Sequence, residues 1–164
     1  ARMQKAMREY LTQAWARRKP GIAVSTPAQA LTLASIVEKG TGKPEERRMV
    51  AAVYSNRLRQ NMMLQADPTI IYPITRGKPL GRRILQSEVR AVNQYNTYAM
   101  IGLPVGPIAN PGRESIDAVL DPAQSTALYF VAKGDGGHVF ADTLEQHNAN
   151  VQKWYALRRA RGEM

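Results

Sequence analysis

Apolar side chains recur at helical spacing near the start of the chain. Over residues 2–17 they fall on one face, which predicts an amphipathic helix. These apolar positions are Met3, Met7, Tyr10, Leu11, Ala14 and Trp15. A second helix is predicted from Thr26, a suitable cap for its first turn, with Pro27 at the first helical position. This helix runs to Lys39 and stops at Gly40, where a left-handed cap is expected.

Turn signals and shorter periodic stretches divide the rest of the chain. The predicted elements are a helix over 44–60, an extended segment over 62–66, a short helix over 67–72, an exposed loop over 73–83 and a helix over 110–120. Residues 127–132 and 138–141 flank a glycine-rich turn and predict a β-hairpin. Asp142 and Glu145 form a capping box for a last helix to about Arg159. The fold class is therefore α+β, mainly helical with a small antiparallel sheet.

Composition narrows the classes of protein. At 164 residues the chain is one domain by default, and it is long enough to bury a core. The chain has no Cys, which excludes disulfides, thiolate metal sites and a cysteine nucleophile. With only two His, a metal centre is not expected either. No apolar run is long enough to span a membrane, and a chain that opens without Met is expected to be a fragment.

The net charge of +10 first suggests a polyanionic partner such as nucleic acid. The charge is concentrated at the two ends. Residues 1–20 have six basic and one acidic side chain, and residues 153–164 have four basic and one acidic. The central part is nearly neutral, so a simple nucleic-acid interface is not expected. The basic ends are either solvated helix faces or a patch that steers an acidic polymer.

Glu38 is the first candidate for catalysis. In the second predicted helix it shares one face with Leu31 and Ala34. A carboxyl group on an apolar face loses hydration, which favours its protonated form and suits a general acid. The alternative is that Glu38 lies at the edge of this face and pairs with Lys39 or Arg47.

Two further stretches contain polar residues that require an explanation. Asn56 faces inward on the third helix, where its amide needs either backbone partners or a polar ligand. Gln65 and Asp67 alternate on one side of the predicted extended segment, with Thr69 just beyond. Asp67 is explained as a helix N-cap, whereas Gln65 has no structural explanation.

Residues 95–98 concentrate aromatic rings and amides in an irregular segment, as sugar-binding sites do. Aromatic packing explains the same pattern. His138 and His147 are nine residues apart without a third ligand type nearby, and both are interpreted as structural. The chain contains no phosphate-binding glycine loop and no nucleophile elbow.

Several strings, taken in order, resemble the YceG-like endolytic murein transglycosylases over about residues 31–154. They are LASIVEK at 33–39, VYSNRL at 53–58, LQADPTIIY at 64–72, YNTY at 95–98, GLPVGPIANPG at 102–112, LYFVA at 128–132 and GGHVF at 136–140, followed by His147 and Asn148. The common order makes the resemblance more specific than any single string.

The resemblance implies a catalytic domain with a lysozyme-like cleft, which belongs to a larger protein with an N-terminal membrane anchor and a small LysM-like module. Residues 1–24 would form a basic helix and linker, and residues 25–164 the catalytic domain. The expected location is the periplasmic face of the inner membrane. The expected partner is peptidoglycan, together with cell-wall synthesis or division proteins. No cofactor, metal or nucleic acid is expected, and the membrane is reached only through the anchor.

The family's catalytic glutamate maps onto Glu38. This carboxyl would protonate the β-1,4 bond between N-acetylmuramic acid and N-acetylglucosamine and then take the proton of the muramyl 6-hydroxyl, which leaves a 1,6-anhydromuramyl end. The residues expected to hold glycan are Asn56, Gln65, Asp67, Thr69, Tyr95, Asn96, Tyr98 and Asn110. Two positions depart from the family pattern: Gly40 stands where a second glutamate is common, and Val105 where a second proline is usual.

Two other functions remain open at this point, and a third is rejected. A muramidase would use the same site with water in place of the 6-hydroxyl. A non-enzymatic module for glycan or nucleic acid would use the basic ends and the aromatic segment. A pyridoxal phosphate lyase, which older naming of the family suggests, has no support, because no lysine lies in an apolar, phosphate-flanked context.

Overall fold

The computed structural model describes residues 2–163, with the side chains of residues 4–163. Helices predominate, as the periodicity predicts. The helices are α1 (Arg2–Ala16), α2 (Pro27–Gly40), α3 (Arg47–Arg59), α4 (Asp67–Thr75), α5 (Gln86–Val89), α6 (Arg113–Leu120) and α7 (Leu144–Ala160). A 3-10 turn over Pro44–Glu46 leads into α3, and β1 (Tyr129–Ala132) pairs with β2 (His138–Ala141). The α+β class with a small antiparallel sheet is confirmed.

Helix α2 is the centre of the core. It packs against α3 and α6, and α1 covers it from a third side. Its middle is buried around the whole circumference from Thr32 to Val37, as expected of a helix enclosed by others. Thr26 caps its first turn by accepting the Gln29 N–H at 3.2 Å. From α1, Leu11 and Ala14 enter the same core, so the N-terminal helix is part of this packing.

The hairpin closes one side of the molecule. Tyr129 pairs with Ala141 and Ala132 with His138, and the turn between the strands uses Gly134 and Gly136 at positive φ. Helix α7 packs along the hairpin, and β1 also contacts α3. The hairpin thereby lies beside α3, where Phe130 packs edge-on against Tyr54.

Two predicted helix caps are wrong. Gly40 is the last residue of α2 without a positive φ, and Thr41 follows in an extended conformation, so no left-handed cap exists there. At α7 the cap is Thr143, whose hydroxyl accepts the Gln146 N–H at 3.2 Å. The predicted capping box at Asp142 is therefore one residue too early.

The predicted extended segment before α4 is also wrong. Residues 62–66 form an irregular loop, in which Gln65 has a φ of 51°. Asp67 is the first residue of α4 rather than its cap, and the helix continues through Pro73 to Thr75. Further along the chain, α6 begins at Arg113, three residues after the predicted start.

None of the helices in residues 2–163 combines the length and apolar character needed to cross a bilayer.

Candidate active site

A cleft of about 480 Å³ opens where the end of α2, α3, the 62–66 loop, α4 and the hairpin meet. Its polar lining consists of Lys39, Arg57, Gln65, Asp67, Tyr98, His138 and His147. Gly40, Tyr54 and Phe130 contribute apolar or narrow parts of the wall. Three of the predicted glycan residues, Gln65, Asp67 and Tyr98, are thus brought together.

The loop that carries Gln65 is fixed by Thr97. The Gln65 N–H donates to the Thr97 carbonyl at 3.2 Å, and the Ala66 N–H donates to the Thr97 hydroxyl at 2.9 Å. These bonds hold Gln65 in the left-handed region, which costs a non-glycine residue about 1–2 kcal/mol. Its side chain is exposed while both neighbours are buried. Strain of this kind is typical of functional positions, where the surrounding structure maintains it.

Asp67 and Tyr98 form a pair across the cleft wall. The Tyr98 hydroxyl donates to Asp67 Oδ1 at 2.6 Å. Burial, with the nearby Asp67 carboxylate, raises the pKa of Tyr98 above its usual value, so the phenol stays protonated. The Asp67 side chain therefore forms its hydrogen bond in the cleft and does not cap the backbone of α4.

Arg57 supplies positive charge at the cleft. Its Nε donates to the Leu128 carbonyl at 2.7 Å and its Nη1 to the Met63 carbonyl at 2.9 Å. The guanidinium also lies 5.0 Å from the centre of the Tyr129 ring. Burial lowers its pKa, but an arginine remains charged at neutral pH. Within residues 4–163 no carboxylate pairs with it, so this charge is available to an anionic ligand.

His138 contributes an imidazole to the cleft and is held by Glu46. Its Nδ1 lies 2.8 Å from Glu46 Oε1, and its backbone N–H donates to Glu46 Oε2 at 2.8 Å. The Thr41 hydroxyl donates to the same Oε1 at 2.9 Å. Burial alone would raise the pKa of Glu46, but the hydrogen bonds from His138 and Thr41 bring it below its usual value. Glu46 is therefore an ionised acceptor.

His147 reaches the cleft from α7. Its ring stacks on Tyr129 with 5.0 Å between the ring centres. Burial, with a smaller contribution from Arg57, lowers its pKa and favours the neutral ring. Sequence reasoning interpreted both histidines as structural, whereas both line the cleft. The signal that could have indicated them is their position inside the last two matching strings.

Glu38 faces a different side of α2. Its Oε1 accepts the Gly112 N–H at 2.7 Å and the Ser115 hydroxyl at 3.0 Å, both at the start of α6. Oε2 lies 3.9 Å from the Arg47 guanidinium, in line with the pairing considered as the alternative. Because two helical positions are about 200° apart, Glu38 and Gly40 point to opposite sides of the helix. Gly40 lines the cleft, and the Glu38 side chain does not.

The remaining predicted glycan residues lie outside the cleft. The Asn56 amide donates to the carbonyls of Ser125 and Ala127, both at 2.9 Å, which is the backbone alternative. Asn96 is fully buried and donates to three backbone carbonyls, while the Thr69 hydroxyl is buried against Thr97. Tyr95 packs on Tyr72. Asn110 is exposed, two residues before the Glu38 contact at Gly112.

Across the described residues, no group of three or more His, Asp or Glu side chains is arranged to hold a metal ion. The cleft can instead form hydrogen bonds through an amide, a carboxylate and a phenol, and it carries positive charge.

Comparisons with known proteins agree with one another. The model of the YceG-like family matches residues 1–153. An endolytic murein transglycosylase from Bacillus subtilis is 40% identical over 124 residues, which cover 76% of this chain and 34% of that protein. Another from Streptococcus pneumoniae is 38% identical over 132 residues, which cover 77% of this chain and 23% of that protein.

A solved structure shows the same fold. A YceG-like protein from Listeria monocytogenes superposes with a TM-score of 0.72 at 35% sequence identity, covering 88% of this chain and 44% of that one. The chain spans about a third or less of the length of the curated relatives that it matches. The family match extends over nearly the whole chain, and a solved YceG-like protein shares its fold: the chain belongs to the YceG-like family.

Proposed function

We propose that this chain cleaves peptidoglycan glycan strands as a lytic transglycosylase, with the strand bound in the cleft. The observation that carries the proposal is the meeting of Gln65, Asp67 and Tyr98 in one open cleft of a YceG-like fold. The relatives named endolytic murein transglycosylase support the reaction class. Peptidoglycan lies outside the cytoplasmic membrane, so the proposal implies an extracytoplasmic location, where proteins of wall synthesis or division are expected partners.

The cleft chemistry suits a muramyl glycan. The Gln65 amide and the Asp67 carboxylate can bond sugar hydroxyls, while the Tyr98 ring can cover an apolar sugar face. Arg57 and Lys39 bring positive charge, which favours the carboxylates of the stem peptides that muramic acid carries. These contacts would orient the strand across the end of α2.

The proposed reaction breaks the β-1,4 bond between N-acetylmuramic acid and N-acetylglucosamine. A carboxylic acid protonates the glycosidic oxygen as the muramyl anomeric carbon develops oxocarbenium character. The muramyl 6-hydroxyl then attacks that carbon and loses its proton. The products are a free 4-hydroxyl and a 1,6-anhydromuramyl end, and no water is consumed.

Glu38 is the acid that the family resemblance implies. Two donors fix its Oε1, and its side chain keeps 27% of its surface exposed, so Oε2 is the oxygen left to exchange a proton. A glycan strand bound in the cleft would have to extend past the last turn of α2 to reach Glu38. Asp67 is the carboxylate that lines the cleft directly, and this position makes it the second candidate for the acid.

One observation favours a second candidate function, glycan binding without cleavage. Gly40 lines the cleft at a position where the family commonly has glutamate. In that case the cleft would retain its binding groups, Asp67 among them, and lack the carboxylate that is common at position 40.

The test is digestion of purified peptidoglycan by the wild type, Glu38→Gln and Asp67→Asn, with the released ends identified by mass spectrometry. Anhydromuramyl ends from the wild type and from Asp67→Asn, but not from Glu38→Gln, support Glu38 as the acid, whereas loss of these ends in both variants means that cleavage needs both carboxylates. Anhydromuramyl ends that survive Glu38→Gln but not Asp67→Asn assign the acid to Asp67. Reducing ends indicate a muramidase, and peptidoglycan binding without any cleavage supports the binding module.

A further inference from the structure

The paired side chains Glu46 and His138 lie beside the cleft and have no role in the reaction as described above. We propose that His138 is a second proton-transferring residue, which accepts the proton of the attacking muramyl 6-hydroxyl, with Glu46 as its positioning residue. This inference rests on the proposed function and divides between two side chains the proton transfers that the resemblance assigns to one carboxyl.

The hydrogen bonds determine which ring nitrogen carries the proton. An ionised carboxylate can only accept hydrogen bonds, so Nδ1 must donate to Glu46 Oε1 across their 2.8 Å distance. In the neutral ring Nε2 is then the unprotonated nitrogen and can act as a base. Among the hydrogen bonds of residues 4–163, none involves this Nε2. A substrate hydroxyl could donate a hydrogen bond to the lone pair of this nitrogen.

The ring is held firmly and remains open to the cleft. Phe130 packs edge-on against it with 5.1 Å between ring centres, and His138 lies in the same cleft wall as Asp67 and Tyr98. Its side chain is 17% exposed, against 12% for Glu46. The partly buried carboxylate can therefore orient the imidazole while the ring keeps access to a ligand.

The structural role of Glu46 can be separated from this one. Glu46 Oε2 also accepts the backbone N–H of His138, a bond that fixes β2 to the start of α3 and does not need the imidazole. Replacing the ring leaves this backbone bond in place. Loss of the hairpin and loss of the base can thus be distinguished by variants.

The step balances as a proton transfer coupled to cyclisation. The bond from the muramyl O6 to C1 forms, and the bond from C1 to the departing glycosidic oxygen breaks. The O6 proton moves to Nε2, while the carboxylic acid gives its proton to the departing oxygen. His138 then holds one proton more and the carboxylate one fewer, and exchange with solvent restores both.

Charged and titratable side chains surround the His138 ring. Glu46 is bonded to it, and Asp135 and Lys133 flank the turn that precedes it. On the opposite cleft walls are Lys39, Arg57, Asp67 and His147. The base role requires a neutral ring, because a protonated imidazole cannot accept the hydroxyl proton.

The test compares His138→Gln and Glu46→Gln with Glu45→Gln, a matched change at the exposed neighbouring residue. We expect His138→Gln to lower kcat by about 10²- to 10⁴-fold with peptidoglycan binding retained, the usual contribution of general base catalysis. It should also remove the acid limb of the pH–rate profile. Glu46→Gln should lower kcat at least about tenfold, because the ring tautomer is no longer fixed. Glu45→Gln should match the wild type.

Nitrogen NMR of the imidazole supplies a readout that a structural role would not move. In the wild type the spectrum should show a proton on Nδ1 and none on Nε2, with Nε2 shifting when glycan binds. Cleavage that survives His138→Gln with an unchanged pH profile overturns the inference and leaves the proposed function intact. Absence of cleavage by the wild type overturns the proposed function and the proton transfer together. A proton on Nε2 in the free protein overturns the positioning role of Glu46.

Discussion

Replacing Glu38 by alanine tests whether this carboxylate holds the fold together. The substitution removes the acceptor of the Gly112 N–H and of the Ser115 hydroxyl, which is fully buried. Hydrogen bonds to a charged group are each worth about 1.5–3 kcal/mol. Because the side chain is 27% exposed, water replaces part of this interaction. We expect the free energy of unfolding to fall by about 2–4 kcal/mol.

The measurement is urea denaturation followed by circular dichroism, with a thermal melt as a second readout. For a chain of this size the loss corresponds to a fall in melting temperature of roughly 5–10 °C. Glu38→Gln keeps an oxygen that can accept both donors, so its loss should be less than half as large. Ser115→Ala removes one bond and should cost about 1 kcal/mol.

An exposed glutamate provides the matched control. Glu45→Ala changes a surface side chain next to the 3-10 turn and should stay within about 0.5 kcal/mol of the wild type. A Glu38→Ala protein as stable as this control would refute the reasoning that the carboxylate fixes α2 to α6. Such a result would favour a purely catalytic Glu38, since catalytic groups often add no stability.

The remaining predictions concern the cleft and the hairpin. Gly40→Glu should raise cleavage activity relative to Gly40→Gln, measured as anhydromuramyl ends, because it places a carboxylate in the cleft. The new Cβ would lie 3.2 Å from Val50 Cγ1, so this methyl group must shift slightly. The pKa of Glu46 is lowered in the folded protein, so its ionised form stabilises the fold above the unfolded pKa of 4.5, and this contribution is lost as the pH falls through the folded pKa. Urea denaturation at several pH values should therefore show a weaker loss of stability in acid for Glu46→Gln than for the wild type. Gly134→Ala should destabilise by about 1–3 kcal/mol in the same assay, because a Cβ there would overlap Leu157 at a φ of 100°; a neutral effect would contradict the close packing of α7 on the turn.

Local chemistry made the elements predictable. The Thr26 cap, the α2 periodicity and the glycine-rich hairpin turn depend on residues a few positions apart, and each was found where predicted. The cap of α7 was missed by one residue because Asp142 and Thr143 are both good capping residues. Gly40 is the last residue of α2, and the extended Thr41 ends the helix. A glycine can adopt a left-handed conformation but is not required to, so its presence did not determine the cap.

The site depends on contacts between distant parts of the chain, which a periodic pattern does not contain. Thr97 imposes the backbone conformation of Gln65, so alternation could not reveal it. Glu38 finds its partners 74 and 77 residues away, and Glu46 bonds a residue 92 positions later. Glu38 contacts the start of α6 and pairs with Arg47, as the alternative interpretation expects, and neither contact lies in the cleft.

The long separation between Glu46 and His138 has a consequence for the order of folding. One cleft wall comes from residues 64–67 and another from a hairpin that begins about 60 residues later. Closing so long a loop is entropically costly, and contacts of this kind form after local helices. During synthesis on the ribosome, α2 and α3 can therefore associate before any binding surface exists. The cleft is completed only when β2 has emerged and docked, so this surface forms late in the synthesis of the chain.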